Sequence, residues 1–408
     1  MPVMTQYATI FLILLPGLAA AATLREALDA AAVRAPPARG LEAGRIEAAA
    51  HRYAADRLFP GMPALGLGQR EGEGGKREFE LELSTPLWLP GQRQASLALA
   101  DARIEENAAA YAARRWALAG ELRNLLAAAR AAKAEVDLAR ARLENDRQLA
   151  DEVARRVAAG DLARADSLLA RGELLASESA VLEADSRLTR ALRDYRVLTG
   201  LAALPSDAVE TLAPPPAGLA TGLATGLANE VMQQHPALAA ARRNVELARA
   251  GLELTRRTRR DAPELGVQVQ TARDVSGADY QNSVRFGLRI PFSGEARNRP
   301  LLAAANGDLI RAEAELAQAT AELENELQTA QAELANAERG EELAHARRQG
   351  ATERLRLIRR GFELGELSLA QLLLARGQAN EAEAATTRAG LSLAAARARL
   401  NQASGVLP

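Results

Sequence analysis

Glu78, Glu80 and Glu82 stand at alternate positions of one short run, and Arg285 and Arg289 alternate in another; Asp161 and Glu366 each follow a glycine. Side chains two apart on a strand share a face, so the three carboxylates form a like-charged row. Such a row can attract cations, and it can equally be an ordinary solvated face. Neither arrangement is catalytic. The chain has no glycine-rich phosphate loop, nucleophile elbow, His–carboxylate cluster or paired acids on a short loop, so an enzyme is not expected. His51, His235 and His345 are far apart and cysteine is absent. That excludes disulfides, thiolate chemistry, a lipid-modified cysteine and a metal site of usual spacing, and no cofactor is expected.

Composition bounds the elements that must carry these residues. Basic and acidic residues nearly cancel, 51 against 52, so no global field recommends nucleic acid. Hydrophobic residues make up 48% but aromatics only 3%, which points to long helices meeting along narrow Ala- and Leu-rich seams rather than a large core. Residues 1–22 lack Lys, Arg, Asp and Glu, carry the apolar run 10–15 and end in four alanines. They read as a signal peptide cleaved after Ala22, although the basic n-region is missing. A short anchor helix is the weaker reading, because the apolar stretch falls short of the ~20 residues that span a bilayer. No later segment reaches that length, so any crossing would be by strands.

The chain repeats itself at an offset of 205: Gly160-Asp161-Leu162 recurs as Gly365-Glu366-Leu367, Leu168 to Gly172 as Leu373 to Gly377, and Pro86 as Pro291. Upstream, Pro63 to Gly66 matches Pro263 to Gly266 at an offset of 200, so the length difference falls in one loop. Packed elements hold length while loops change it, and the register therefore marks a two-fold internal repeat. The first copy spans 23–205, a linker low in complexity spans 206–226, and the second copy spans 227–408. Each copy has a β-hairpin of period two, about 63–86 and about 263–291. Each also has a long helical hairpin, with tips at 160–162 and 365–367. A stretch of roughly 65 residues from Gln94 to Ala159 without proline predicts a helix near 100 Å. Leu97, Ile104, Tyr111, Leu118 and Leu125 mark its seam, which Val136, Leu143, Ala150 and Val157 resume after an eleven-residue step, a stutter that relaxes supercoiling. Leu168, Leu175 and Leu182, and also Val181, Leu188 and Tyr195, mark heptads on the returning helix. A helix before the strands and the returning helix together match the long one, so they should stack end to end along it. The second copy reads as Ala237 to Arg260, Ala303 to Arg359 and Leu367 to Asn401.

Thr-Pro-Leu-Trp-Leu-Pro-Gly-Gln-Arg at 85–93, Arg-Ile-Pro-Phe at 289–292, the paired Gly-acidic-Leu tips and Leu-Thr-Gly at 198–200 resemble the TolC-like outer-membrane efflux family across essentially the whole mature chain. The stretch at 86–93 resembles its Czc-type heavy-metal branch. The resemblance implies a mainly α protein: long antiparallel coiled-coil hairpins forming an α-barrel, with four strands per protomer closing a trimeric 12-stranded outer-membrane β-barrel. It implies a homotrimer in outer-membrane lipid of a Gram-negative bacterium with a large periplasmic extension. Its partners would be a periplasmic membrane-fusion adaptor and an inner-membrane RND-type pump.

On that resemblance the row Glu78, Glu80 and Glu82 lines the lumen, partly answered by Arg285 and Arg289. Gly160, Asp161, Leu162, Gly365, Glu366 and Leu367 become adaptor-docking tips, each giving a turn, a charge and an apolar knob; they can also be plain helical turns. The family's acidic gate positions after the second turn are here Gln371 and Leu374. That leaves Asp166, with Arg164 or Arg156 beside it, as the better gate candidate. Trp88, Phe59 and Phe292 flank strand ends, as an interfacial belt or as packing. Export of metal cations is the first reading of function; a drug or type I secretion duct, a periplasmic adaptor and a fibrous coiled coil are the alternatives.

Overall fold

The computed structural model describes residues 23–34, 36–205, 210–212, 232–292 and 294–408. The leader expected at 1–22 and most of the linker expected at 206–226 lie outside the described residues. The elements run α1 (Leu24–Arg34), α2 (Pro36–Ala55), β1 (Ala64–Glu71), β2 (Arg77–Pro86), α3 (Gln92–Ala159), α4 (Arg164–Thr199), α5 (Pro236–Arg257), β3 (Glu264–Arg273), β4 (Gln281–Arg289), α6 (Glu295–Glu363) and α7 (Leu369–Ala403). Helix α3 is 68 residues, about 100 Å at 1.5 Å per residue, and α6 is 69. Helix α6 begins eight residues before the expected Ala303. Pro300 sits inside it, just past the first turn, where proline removes only one early backbone bond.

The strands form one antiparallel sheet in chain order, so β2 of the first copy pairs with β3 of the second and the edges are β1 and β4. Helix α3 packs against both α2 and α4, and α6 against both α5 and α7, the end-to-end stacking that the lengths required. Toward the far end α3 also meets α7. The helices of the two hairpins therefore lie in the order α4, α3, α7, α6.

The packing seams differ from the expected leucine ladders. Through the middle of α3 the buried apolar residues are small or offset from the expected row, Ala119, Leu122, Leu126, Ala129 and Ala132, whereas the expected Val136 is buried and the expected Ala150 and Val157 pack against the core near the tip. Several helices share this one, so the apolar positions are divided among partners. On α4 the inward heptad is Ala170, Ser177 and Ala184, with Tyr195 fully buried near its end, while Leu168, Leu175 and Leu182 point outward. Small residues in the seam let the backbones approach, and the leucines are left without a partner among the described residues.

Turn chemistry repeats with the fold. Gly160 and Gly365 adopt φ of 86° and 77°, and Gly200 and Gly405 adopt 78° and 76°, each at the end of a long helix. Only glycine enters that region without steric cost, which explains why these pairs recur at one offset.

Midway along the body α1 packs Leu24 and Leu28 on Leu122, Leu126 and Tyr195. The second copy has Leu238 against Leu323, Leu327 and Ala403. Residues 210–212 of the connection between copies pack here. Glu210 lies against the buried Arg123 guanidinium, accepting at 2.8 and 2.9 Å, and Asn401 donates to the same carboxylate at 3.0 Å. Trp116 donates from Nε1 to the Gln402 carbonyl at 2.8 Å and stands edge-on to His235 at 4.6 Å. Burial lowers the His235 pKa to about 4, partly offset by the Gln402 backbone.

Candidate functional site

The register sorts the sheet into two unlike faces. Across one run Leu65, Leu83, Val267 and Phe286, and across the next Leu67, Leu81, Val269 and Val284. Across the other run Gly66, Glu82, Gln268 and Arg285, then Gly68, Glu80, Gln270 and Ser283. A sheet normally hides such an apolar face against a core. Among the described residues nothing covers it: Leu67 is 79% and Phe286 76% exposed. In water, bare rows of Leu, Val and Phe would be an aggregation hazard; against hydrocarbon they need no cover. No helix among the described residues is long and apolar enough to cross a membrane.

All five charged residues expected on the polar face are on it, but their pairing differs from expectation. Glu78 is buried to 8% exposure and faces Lys76 at 3.2 Å and Arg70 at 3.7 Å. Arg285 donates to Gln268 at 3.4 Å, and Arg289 faces Glu264 at 3.7 Å. Of the glutamate row only Glu78 is answered among the described residues, from the hairpin loop and β1, because the register puts Arg289 opposite Glu264 rather than opposite a β2 glutamate. Glu82, Gln268, Arg285 and Arg289 share a cleft of 280 Å³ on this face.

The two hairpin tips meet at the far end of the helices. Leu149, Val153 and Ala170 of the first hairpin pack with Phe362, Leu369 and Leu372 of the second, and Leu162 joins them. Gly160, Asp161, Gly365 and Glu366 are exposed. Leu162 and Leu367 are not free knobs. Leu162 turns into this cluster, and Leu367 covers Gly361 so closely that a Cβ there would stand 2.6 Å from its Cδ1. The exposed apolar residue at the second tip is instead Leu364.

The gate candidates have structural partners. The Asp166 carboxylate accepts from the Ala163 backbone N–H at 3.2 Å, and Gln371 accepts from Ser368 N–H at 3.0 Å while Ser368 Oγ accepts from Gln371 N–H at 3.4 Å. Both are third residues of their helices and satisfy orphan donors there; Ser-x-x-Gln at 368–371 is a capping box legible in the sequence. Arg164 is the first residue of α4 and exposed. Arg156 turns away from Asp166, its guanidinium 4.8 Å from the Phe362 ring and its Nη1 3.5 Å from the Phe362 carbonyl. It ties one tip to the other.

Deeper along the hairpins lies a buried group that periodicity concealed. Asp146, in a seam position, accepts from Ser177 and lies 3.7 Å from Arg376 of the other hairpin. Burial lowers the Arg376 pKa, with Asp146 opposing that shift. Below the tips the two hairpins border a groove of 660 Å³ lined by Gln148, Glu152, Arg348, Arg359, Arg376 and Glu383, among others. At the sheet's lower edge Trp88 donates to the Arg57 carbonyl at 3.1 Å, Phe59 is half-buried, and Phe292 is 96% exposed.

The outer membrane efflux protein family matches this chain over residues 45–201 and 227–406, one segment per copy. No curated protein matches the sequence. Among solved structures the chain is similar to CusC, described for its folding and transmembrane channel formation, at 17% identity and a TM-score of 0.76, covering 94% of this chain and 92% of that one. It is similar to the outer membrane protein VceC of Vibrio cholerae at 15% identity and 0.73, covering 94% and 96%. The MtrE outer membrane channel of Neisseria gonorrhoeae, in its open state, gives 18% and 0.71, covering 94% and 89%.

Proposed function

Because the chain belongs to the outer membrane efflux protein family, we propose that it is the outer-membrane exit duct of a tripartite efflux system. It works passively with a periplasmic membrane-fusion adaptor and an inner-membrane RND-type pump. The observation that carries this reading is the uncovered apolar sheet face joined to hairpins about 100 Å long. A four-stranded sheet has two open edges, β1 and β4, which lipid does not tolerate and closure removes. Three copies give the 12 strands of a closed barrel.

The helices favour the same closure. The end helices of the arc, α4 and α6, each expose leucines at multiples of seven: Leu168, Leu175 and Leu182 on one, Leu343 and Leu357 on the other, continued by Leu364 just past its end. Unlike stripes on opposite edges make a head-to-tail contact, which closes into a ring when the rotation permits. The polar sheet face then lines the lumen, where Glu80 and Glu82 favour cations, in keeping with a metal-cation cargo suggested by residues 86–93.

At the periplasmic end Asp161 and Glu366, presented by their glycine turns, contact the adaptor. The Asp166 ring narrows the aperture in addition to capping α4. Photo-crosslinkers at residues 161 and 366 should capture a periplasmic partner in exporting cells; capture of none removes the docking role. Growth of a deletion strain across a panel of metals and drugs tests the cargo, and sensitivity confined to drugs would overturn the metal reading.

A further inference from the structure

All four strand-to-helix connections lie at one end of the sheet, and they interlock. Leu87 N–H donates to the Pro263 carbonyl at 2.7 Å, Arg93 to the Asp56 carbonyl at 2.7 Å, and Gln92 to Thr258 Oγ1 at 3.4 Å. Gly91, at φ 76°, lies under the Arg257 side chain, whose Cδ would stand 3.3 Å from a Cβ there. The result is a collar between the sheet and the helical body.

The collar is basic and the opposite rim is not. Residues 56–63, 87–93, 253–262 and 290–299 contain eight arginines and four acidic residues, whereas the loops 70–77 and 273–281 contain four of each sign. The four collar carboxylates are already held: Asp56 by Arg93 at 3.1 Å, Glu253 by Arg257 at 2.7 Å, Glu295 by Arg299 at 3.9 Å, and Asp261 by Arg297. Arg256 and Arg257 complement the C-terminus of α5, so the helix dipole accounts for them. It does not account for Arg57 and Arg260, which lie beyond the helix ends, whereas Arg259 donates from Nε to the Arg256 carbonyl at 3.1 Å and so caps that terminus. Arg57 rests 4.7 Å from the Tyr53 ring, and Arg260 has no ion pair among the described residues. Leu58, Met62 and Phe292, all strongly exposed, stand on the same collar next to the apolar sheet face.

Cationic side chains beside exposed apolar ones, at the margin of a lipid-facing band, suit an interface with anionic headgroups on one side and acyl chains on the other. We propose that this collar binds anionic phospholipid headgroups in the leaflet nearest the helical body, with Arg57 and Arg260 on the phosphates and Leu58, Met62 and Phe292 among the acyl chains. The inference rests on the proposed outer-membrane placement. It adds a headgroup preference at one rim only.

The test uses the full-length assembled protein reconstituted in nanodiscs of phosphatidylcholine doped with phosphatidylglycerol, reading the lipids retained by native mass spectrometry. Wild type should enrich phosphatidylglycerol. The double variant Arg57→Gln/Arg260→Gln should lose that preference by at least about tenfold, since each basic group near a membrane surface adds measurably to anionic-lipid attraction. Arg70→Gln/Arg77→Gln/Arg273→Gln at the opposite rim should keep it. Equal retention of both lipids by normally reconstituted wild type, or an unchanged preference in the Arg57→Gln/Arg260→Gln variant, overturns the collar assignment and leaves the barrel standing. Failure of wild type to enter either bilayer overturns the membrane placement and the collar with it.

Discussion

The sheet face and the outer stripe of α4 both leave apolar side chains bare, yet they are built differently. On the sheet, Leu, Val and Phe form a continuous field several residues wide, with nothing charged between rows. On α4 the leucines come one per seven residues, with Arg171, Glu178 and Asp185 among the residues between and beside them. Lipid is a shapeless solvent and wets a continuous band. A helix partner is a shaped solid and needs knobs at a fixed spacing. Exposure alone therefore does not identify what covers a surface; the width and period of the pattern do.

The largest effect should come from charge on the sheet face. Phe286→Arg and Leu81→Arg are each expected to cost about 2–4 kcal/mol near the bilayer midplane and to deplete assembled protein from outer-membrane fractions. Normal amounts of trimer in both variants would remove the barrel assignment. Next comes a substitution that keeps hydrophobicity and changes shape. Leu175→Phe or Leu182→Phe should weaken assembly by about 1–3 kcal/mol through overpacking of a protein interface. Leu81→Phe should change the melting temperature of the assembly very little. If the two sites respond alike, the distinction between wetting and docking fails.

Much of this was legible in the sequence, for identifiable reasons. The repeat, the period-two hairpins and the glycine turns are local signals, and each is set by backbone geometry that only certain residues satisfy. On α4 the inward row Val181–Leu188–Tyr195 was legible as a heptad, but Ala170–Ser177–Ala184 was not, because it shares its spacing with Leu168–Leu175–Leu182, whose larger side chains look like the core. The pairing of Arg285 and Arg289 depends on register between repeats, a long-range fact. Asp166 and Gln371 drew attention as gate positions because charge is conspicuous, while their capping role followed from position three of a helix. Buried Asp146 and its link to Arg376 break the apolar pattern and carry no local signature at all.

Smaller effects should appear away from both bare surfaces. Asp166→Ala and Gln371→Ala each remove a helix-capping acceptor and should cost about 1 kcal/mol, read as earlier proteolysis at the tips with the sheet unaffected. If Asp166 also narrows the aperture, its variant alone should raise resting conductance in planar bilayers. His235 should make the body acid-sensitive. Its folded pKa of about 4 lies below the ordinary value of 6.5, so the unfolded chain binds more protons between those limits. Stability should fall as pH drops from about 6.5 to about 4 and level off below. In His235→Phe that part of the slope should vanish from denaturation curves taken across this range.

The account turns on which sheet face meets lipid, and the chain's lack of cysteine makes that directly measurable. Single cysteines at residues 80, 81, 82, 83, 285 and 286 can each carry a nitroxide in the reconstituted protein. Accessibility to oxygen, which partitions into hydrocarbon, should be high at 81, 83 and 286, and accessibility to a water-soluble nickel chelate should be high at 80, 82 and 285. An alternation of the opposite phase, or none, would contradict the barrel and with it the proposed duct.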